Sequence, residues 1–217
     1  MKDLAKKFLS DSDRSSISDT VKAVEKRTAG EIVPMVVSAS YHYPMADVIG
    51  ATVFSLPIAI VATTVIGNWL WIGGRDMWLF LGMAAVLLIL FNVLVRNTPS
   101  LKRFFISQRE MEEEVEEAAM TRFFSEGLHQ TRDANGILIF ISVFEHKVWI
   151  LADRGIDAKV ADGHWEEIVA LVTDGIRQNR PAEAICEAVR KVGDILAMHF
   201  PAKADDTDEL RNIIVED

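Results

Sequence analysis

The sequence predicts an α/β/α sandwich with a small mixed sheet, interrupted by an inserted transmembrane helical hairpin. Three observations lead there. Residues 31–40 (EIVPMVVSAS) form one strand-like run, and residues 135–156 (NGILIFISVFEHKVWILADRGI) read as two apolar strands folded back on each other. Between them lie two apolar runs without a single charge, residues 48–74 and 77–95. The chain then divides into an N-terminal helix and first strand (1–45), a membrane hairpin (46–96), the remainder of the α/β domain (97–202) and an acidic C-terminal tail (203–217).

The first element is short and charged. Residues 1–13 space Lys2, Lys6 and Lys7 among Leu4, Ala5 and Phe8, and they hold no apolar stretch of the roughly 7 to 15 residues that a secretory signal needs. The pattern fits a frayed, solvated N-terminal helix, with an amphipathic turn resting on anionic lipid as the alternative. Ser16-Ile17-Ser18-Asp19 resembles a capping box. Ile17, Val21 and Val24 then mark the inner face of a helix that Ala29-Gly30 ends.

Both apolar runs reach the length of about 20 residues at which a helix crosses a bilayer's hydrocarbon core. The alternative is a buried hairpin in a large water-soluble core, where apolar runs of about 10 to 14 residues are usual. Trp69, Trp71 and Trp78 gather at the connection as an interfacial aromatic belt would. Pro57 is tolerable in a span if Thr52, Ser55 or a neighbouring helix helps to satisfy the freed backbone. Lys22, Lys26 and Arg27 precede the first run and Arg96, Lys102, Arg103 and Arg109 follow the second, whereas the connection has Arg75 balanced by Asp76. Positive residues stay on the cytoplasmic side, so the expectation is a two-span protein of the inner (plasma) membrane with both termini cytoplasmic.

After Pro99 a long amphipathic helix is expected over 101–129, with Phe104, Met111, Val115, Ala118, Phe123 and Phe124 on its apolar side. Its polar side holds Glu110, Glu112, Glu113, Glu114, Glu116 and Glu117, ordinarily a solvated face and less often a partner-binding surface. The strand hairpin turns at Glu145-His146-Lys147, and helices follow over 160–178 and 181–200. Cys186 falls in register with Ala182, Ile185, Val189, Val192 and Leu196, which makes it a small core residue rather than a nucleophile. The order of elements makes the first two strands parallel, joined by a right-handed crossover that contains the membrane hairpin.

Composition narrows the partners. Residues 96–217 hold 15 Lys and Arg against 24 Asp and Glu, which accounts for the whole chain's net charge of −9, so nucleic acid is not an expected ligand. A single cysteine permits no internal disulfide and matches a reducing compartment. The sequence has no Gly-rich phosphate loop, no Cys-x-x-Cys, no His-Glu-x-x-His and no Gly-x-Ser-x-Gly. His164 and Glu167 share a helical face, but a solvated first turn capped by Asp162 accounts for them. Asp205-Asp206-Thr207-Asp208-Glu209 lacks the Gly and distal Glu of a calcium loop.

TAGEIVPMVV after a helix, TRDANGILIFISVFEHKVWILADRGID and the FP closing the last helix together resemble the TPM domain family, which includes thylakoid-lumen proteins of photosystem II repair and bacterial envelope proteins. The most specific elements are the Asn135-Gly136 strand start and the Gly155-Ile156-Asp157 corner, similar to the family's Asn-Gly-Val-Leu strand and Gly-Leu-Glu corner. Asp153 replaces a Gly usual there, and an internal hairpin replaces the usual signal peptide or terminal anchor. The resemblance implies an α/β/α sandwich. It also implies calcium binding as in some members, acid phosphatase activity as in a plant member or an auxiliary assembly role as in others, and a membrane-protein partner of LemA type.

In this topology the starts of strands one and two and the end of strand three meet at one edge of the sheet, which brings Glu31, Asp133, Asn135, Asp153 and Asp157 together. Five oxygen-bearing side chains suit a hard cation, Ca²⁺ or Mg²⁺. The alternative makes Asp133 and Asn135 turn residues and Asp157 a cap, with Glu31 or Asp153 paired with Arg132 or Arg154. This edge is expected to face the cytosol, with Ser40 and the Glu145 turn toward the bilayer. The expected function is an integral membrane protein whose cytoplasmic domain binds partners in membrane-protein assembly or quality control, with a cation. The alternative is a metal-dependent, acid-phosphatase-like phosphohydrolase.

Overall fold

A computed structural model describes residues 3–70, 76–160, 163–202 and 210–216. Lys2, Trp71, Arg75, Asp162 and residues 205–209 lie outside the described residues, as do the side chains of Asp76 and Asp157. The chain divides into two compact units, Met1–Tyr41 with Glu112–Asp217, and His42–Met111. In chain order the elements are α1 (Leu4–Phe8), α2 (Asp11–Glu25), β1 (Glu31–Val37), α3 (Pro44–Leu70), α4 (Asp76–Asn97), α5 (Pro99–Phe104), α6 (Gln108–Ser125), β2 (Gly136–Ser142), β3 (Lys147–Ala152), α7 (Arg154–Asp157), α8 (His164–Arg177), α9 (Pro181–His199) and β4 (Ile214–Glu216).

The first unit is built on a mixed sheet in the order β3-β2-β1-β4. As expected, β1 runs parallel to β2, with Glu31 opposite Gly136 and Val37 opposite Ser142, and β2 and β3 form an antiparallel hairpin. A fourth strand, β4, adds parallel to β1 from Met35 to Val37. Residues 214–216 are therefore sheet, a strand too short for alternation to announce it. Pro34 sits in β1 at no cost to the ladder. The Glu31 N–H points toward β2, donating to the Asn135 carbonyl, so alternation turns position 34 toward the other side, where β4 pairs only from Met35 onward.

Helices cover both faces. Ile32, Val36, Ile137, Ile139 and Ile141 pack with α2, α8 and α9, while Val33, Met35, Leu138 and Phe140 pack against Val115, Ala119 and Phe123 of α6. Every residue of β1 and β2 is buried, which is why both read as continuous apolar runs. Gly193 lets α2 and α9 close up, since a Cβ there would fall 1.9 Å from Val24 Cγ1.

Three local expectations change. The N-terminal helix is not a frayed, solvated one: Ala5 and Leu9 are fully buried, and the Ala5 N–H donates to Ser38 Oγ at 2.9 Å. The cap of α2 is Ser10, not the Ser16–Asp19 run, because Ser10 Oγ accepts from the Asp13 N–H (3.2 Å) and Asp13 Oδ2 accepts from the Ser10 N–H (3.0 Å). The single helix over 101–129 is broken into α5 and α6, with Ser107 Oγ accepting from the Glu110 N–H (3.1 Å) at the start of α6. The break shifts the helical phase, so Phe104 is exposed, and Phe124 projects opposite the Val115 stripe and is exposed too.

The second unit is a helical hairpin. Ala51, Ser55, Ala59 and Thr63, spaced four apart on α3, are all buried, a ridge of small side chains that lets two helix backbones approach. Phe54 stacks on Phe91 of α4 with ring centres 5.6 Å apart. The Thr52 and Ser55 hydroxyls go to the Val48 and Thr52 carbonyls, not to the carbonyl of Val53 that Pro57 leaves without its helical donor. Lys102, itself buried, holds the base of the hairpin through the Asp47 carboxylate at 2.9 Å and the His42 carbonyl at 2.5 Å. Residues Pro44–Trp69 and Met77–Asn97 are long and apolar enough to cross a membrane, yet their most apolar windows are only 28% and 11% buried. The core helix of a water-soluble protein would be mostly buried. Here Val61, Val65, Val86, Ile89 and Leu90 are exposed.

Candidate functional site

The register brings the backbones of the expected site residues to one end of the sheet. Glu31 opens β1 opposite Gly136, and the Asp153 N–H donates to the Gly136 carbonyl at 2.9 Å. Glu31 and Asp153 thus flank Gly136, two strand spacings or about 10 Å apart at Cα. Alternation puts both side chains on the face that α6 covers, and between them Gly136 has none. A Cβ on Gly136 would fall 2.5 Å from the Leu128 carbonyl, so only glycine fits under that turn. Both flanking acids are buried, Glu31 at 6% exposure and Asp153 at 8%.

Their partners separate structural from available groups. Asp153, expected to pair with an arginine or hold an ion, instead caps α7, its Oδ1 accepting from the Arg154 N–H at 2.7 Å. Asp153 Oδ2 is buried without a hydrogen-bond partner among the described residues. Asn135, only 2% exposed, commits its amide nitrogen to the Ala29 carbonyl, and its backbone N–H donates to Thr131 Oγ1 at 3.1 Å. Asn135 ties the segment before β1 to the segment before β2. Asp133 is half-buried in the loop leading into Asn135 and β2, where Ala134 takes a positive φ of 51°. Gly155 lies against this loop, since a Cβ there would fall 2.5 Å from the Ala134 carbonyl. Asp157 closes α7 by its backbone. Among the described residues no three His, Cys, Asp or Glu side chains come together as a metal-holding group.

The other end of the sheet holds a carboxylate that the sequence reading places at the turn. Glu145 is wholly buried, with Oε1 accepting from the Ser40 N–H at 3.0 Å and Oε2 accepting from the Ser142 hydroxyl. It stitches the β2–β3 turn to the end of β1. Its signal in the sequence is weak, because a Glu in a tight turn usually projects outward. His164 and Glu167 are exposed in the first turn of α8, as expected, and Cys186 is buried in α9.

Residues 94–195 match the family model described as the TPM domain. The match begins at the end of α4 and so leaves β1 and its TAGEIVPMVV run outside it. Among solved structures the chain is similar to the NMR structure of BA42 protein from the psychrophilic bacterium Bizionia argentinensis, at 21% identity over 98% of this chain and 97% of that one, with a TM-score of 0.60. At that identity the likeness concerns the fold. No curated protein matches the chain. Residues 94–195 are thus similar to the TPM domain, and the chain shares with BA42 protein a mixed α/β fold.

Proposed function

We propose that this TPM-domain chain is an integral membrane protein that works as a tethered binding module, engaging other membrane proteins on the cytoplasmic side of the inner membrane during their assembly or quality control. The observation that carries this reading is the position of the hairpin: two helices of membrane length, apolar on their outer surfaces, lie within the β1-to-β2 crossover. A domain whose core strands are separated by two spans cannot leave the bilayer. The Lys and Arg flanks support cytoplasmic termini, and the family resemblance suggests a partner of LemA type. Crosslinking in intact membranes, followed by identification of adducts, tests the reading. Adducts with membrane proteins are expected, and a domain that yields none contradicts it.

The carboxylate end of the sheet is the proposed cation site. Glu31 and Asp153 would hold the ion, and Asp153 Oδ2 is a buried oxygen with no hydrogen-bond partner among the described residues. Two carboxylates suit Mg²⁺, which keeps several waters, better than a caged Ca²⁺. Binding to the native state alone raises stability by mass action, so Mg²⁺ or Ca²⁺ should raise the melting temperature of the wild type and not that of Glu31→Gln with Asp153→Asn. A variant that keeps the wild-type response removes the site. The second reading, a metal-dependent phosphohydrolase, rests on the same oxygen, because an ion there would polarise a phosphoryl group. Cation-dependent turnover of p-nitrophenyl phosphate that Glu31→Gln abolishes would favour it.

A further inference from the structure

The outer face of α6 combines exposed apolar residues with carboxylates in one stripe. Glu113, Glu117, Met120 and Phe124 recur at spacings of four, three and four, the periodicity of a single helix face, and Glu116 borders it. This stripe lies opposite Val115 and Ala119, which are fully buried against the sheet. Phe124 is 60% exposed and Met120 43%. The Phe124 ring is nevertheless held, edge to face with Phe123 at 5.7 Å and against His129 at 5.1 Å. An exposed aromatic fixed in place has less conformational freedom to lose on binding, which is how interface anchors differ from idle surface residues.

We propose that this face of α6 docks a basic, apolar helical segment of a second membrane protein, of the kind that flanks a transmembrane span on the cytoplasmic side. The proposal deepens the partner-binding reading and rests on it. Cytoplasmic flanks of membrane proteins are rich in Lys and Arg, so the surface that receives them should be acidic at its rim and apolar at its centre. Glu116 and Glu117 supply the first and Met120 and Phe124 the second, while Arg109 stands in the first turn of the same helix, at the far end of the stripe. The same carboxylates repel anionic lipid, which directs this face to a protein rather than to the bilayer surface.

The full-length protein in zwitterionic nanodiscs would be titrated with a labelled amphipathic Lys-Leu helix, with empty nanodiscs subtracted. Phe124→Ser should raise Kd about tenfold at every salt concentration, as loss of a central anchor does. Glu116→Gln with Glu117→Gln should raise it several-fold at low salt and little at high salt, since screening removes the same attraction. Glu166→Gln with Glu167→Gln, on α8, should match the wild type. Equal affinity in the wild type and Phe124→Ser would overturn the proposal, as would equal losses in the α8 variant. A photocrosslinker at position 120 and another at Glu187 on α9 separate this failure from that of the wider reading. Membrane-protein adducts from position 187 alone sink the α6 face and leave partner binding standing, and adducts from neither sink both.

Discussion

β2 and α4 are written in the same apolar alphabet and end in opposite surroundings. Every residue of β2 is buried, whereas Val86, Ile89 and Leu90 of α4 are 64%, 68% and 59% exposed. Composition does not separate them. A seven-residue strand between two helical layers has both faces covered, but a helix apolar all round with one neighbour can cover only one stripe. The rest of α4 is left apolar and exposed, as the proposed membrane span would leave it. Length and the number of neighbours thus separate a core strand from a helix long and apolar enough to cross a membrane.

The largest expected effect sets the two regions against each other with the same chemistry. Ile139→Asp, at a fully buried position of β2, should cost more than about 4 kcal/mol and abolish cooperative melting of the domain, because the carboxylate would be buried unpaired. Val86→Asp would change stability by no more than about 0.5 kcal/mol if α4 faced water. In a bilayer it should cost roughly 3 kcal/mol of insertion, read as the fraction recovered in membranes. A Val86→Asp chain that inserts like the wild type breaks the comparison.

Next in size is the charge pair at the hairpin base. Lys102→Ala should cost about 3 kcal/mol by stranding Asp47, measured by denaturant unfolding in micelles. Lys102→Ala with Asp47→Ala should recover most of it. If the double variant is no better than the single, the pair does not act as a unit.

Much of this was legible from the chain. The parallel β1–β2 pair followed from continuous apolar runs separated by a long crossover, and the hairpin from two uncharged stretches. The break at residues 105–107 was not read, although Ser107 and Glu110 stand at capping spacing, because the Phe and Val periodicity on either side masked the change of phase. β4 was hidden by its length and its acidic neighbours. The sequence brought the backbones of Glu31, Asn135 and Asp153 to one end of the sheet, as the register has them, but not the bonds their side chains make. That Asn135 bonds to Ala29 and Asp153 caps α7 depends on side-chain directions no spacing encodes.

Smaller effects sharpen the description of the first unit. Cys186→Ala should cost at most about 1 kcal/mol in thermal unfolding, as trimming a small buried group does, and partner binding should be unchanged. Loss of binding in a folded Cys186→Ala chain would reveal a reactive thiol. The smallest effect concerns Asp13, whose carboxyl lies below its ordinary value of 3.8 because the Ser10 hydroxyl and N–H donate to it. A depressed acid contributes stability above its unfolded pKa and loses it as pH falls through the folded one. Asp13→Ala should therefore lower the melting temperature slightly at neutral pH and match the wild type in acid below the usual carboxylate range. The side chain is near the surface, so well under 1 kcal/mol of the difference should be electrostatic.

Membrane topology tests the tethered-module account most directly. A fluorescent reporter that matures only in the cytoplasm, fused after Asp217, should be bright, and a cysteine introduced at Gly74 in a Cys186→Ala background should react with a membrane-impermeant thiol reagent from outside. A dark C-terminal fusion, or a position 74 labelled only after the cells are lysed, would contradict the cytoplasmic assignment of the domain and with it the partner proposed for α6.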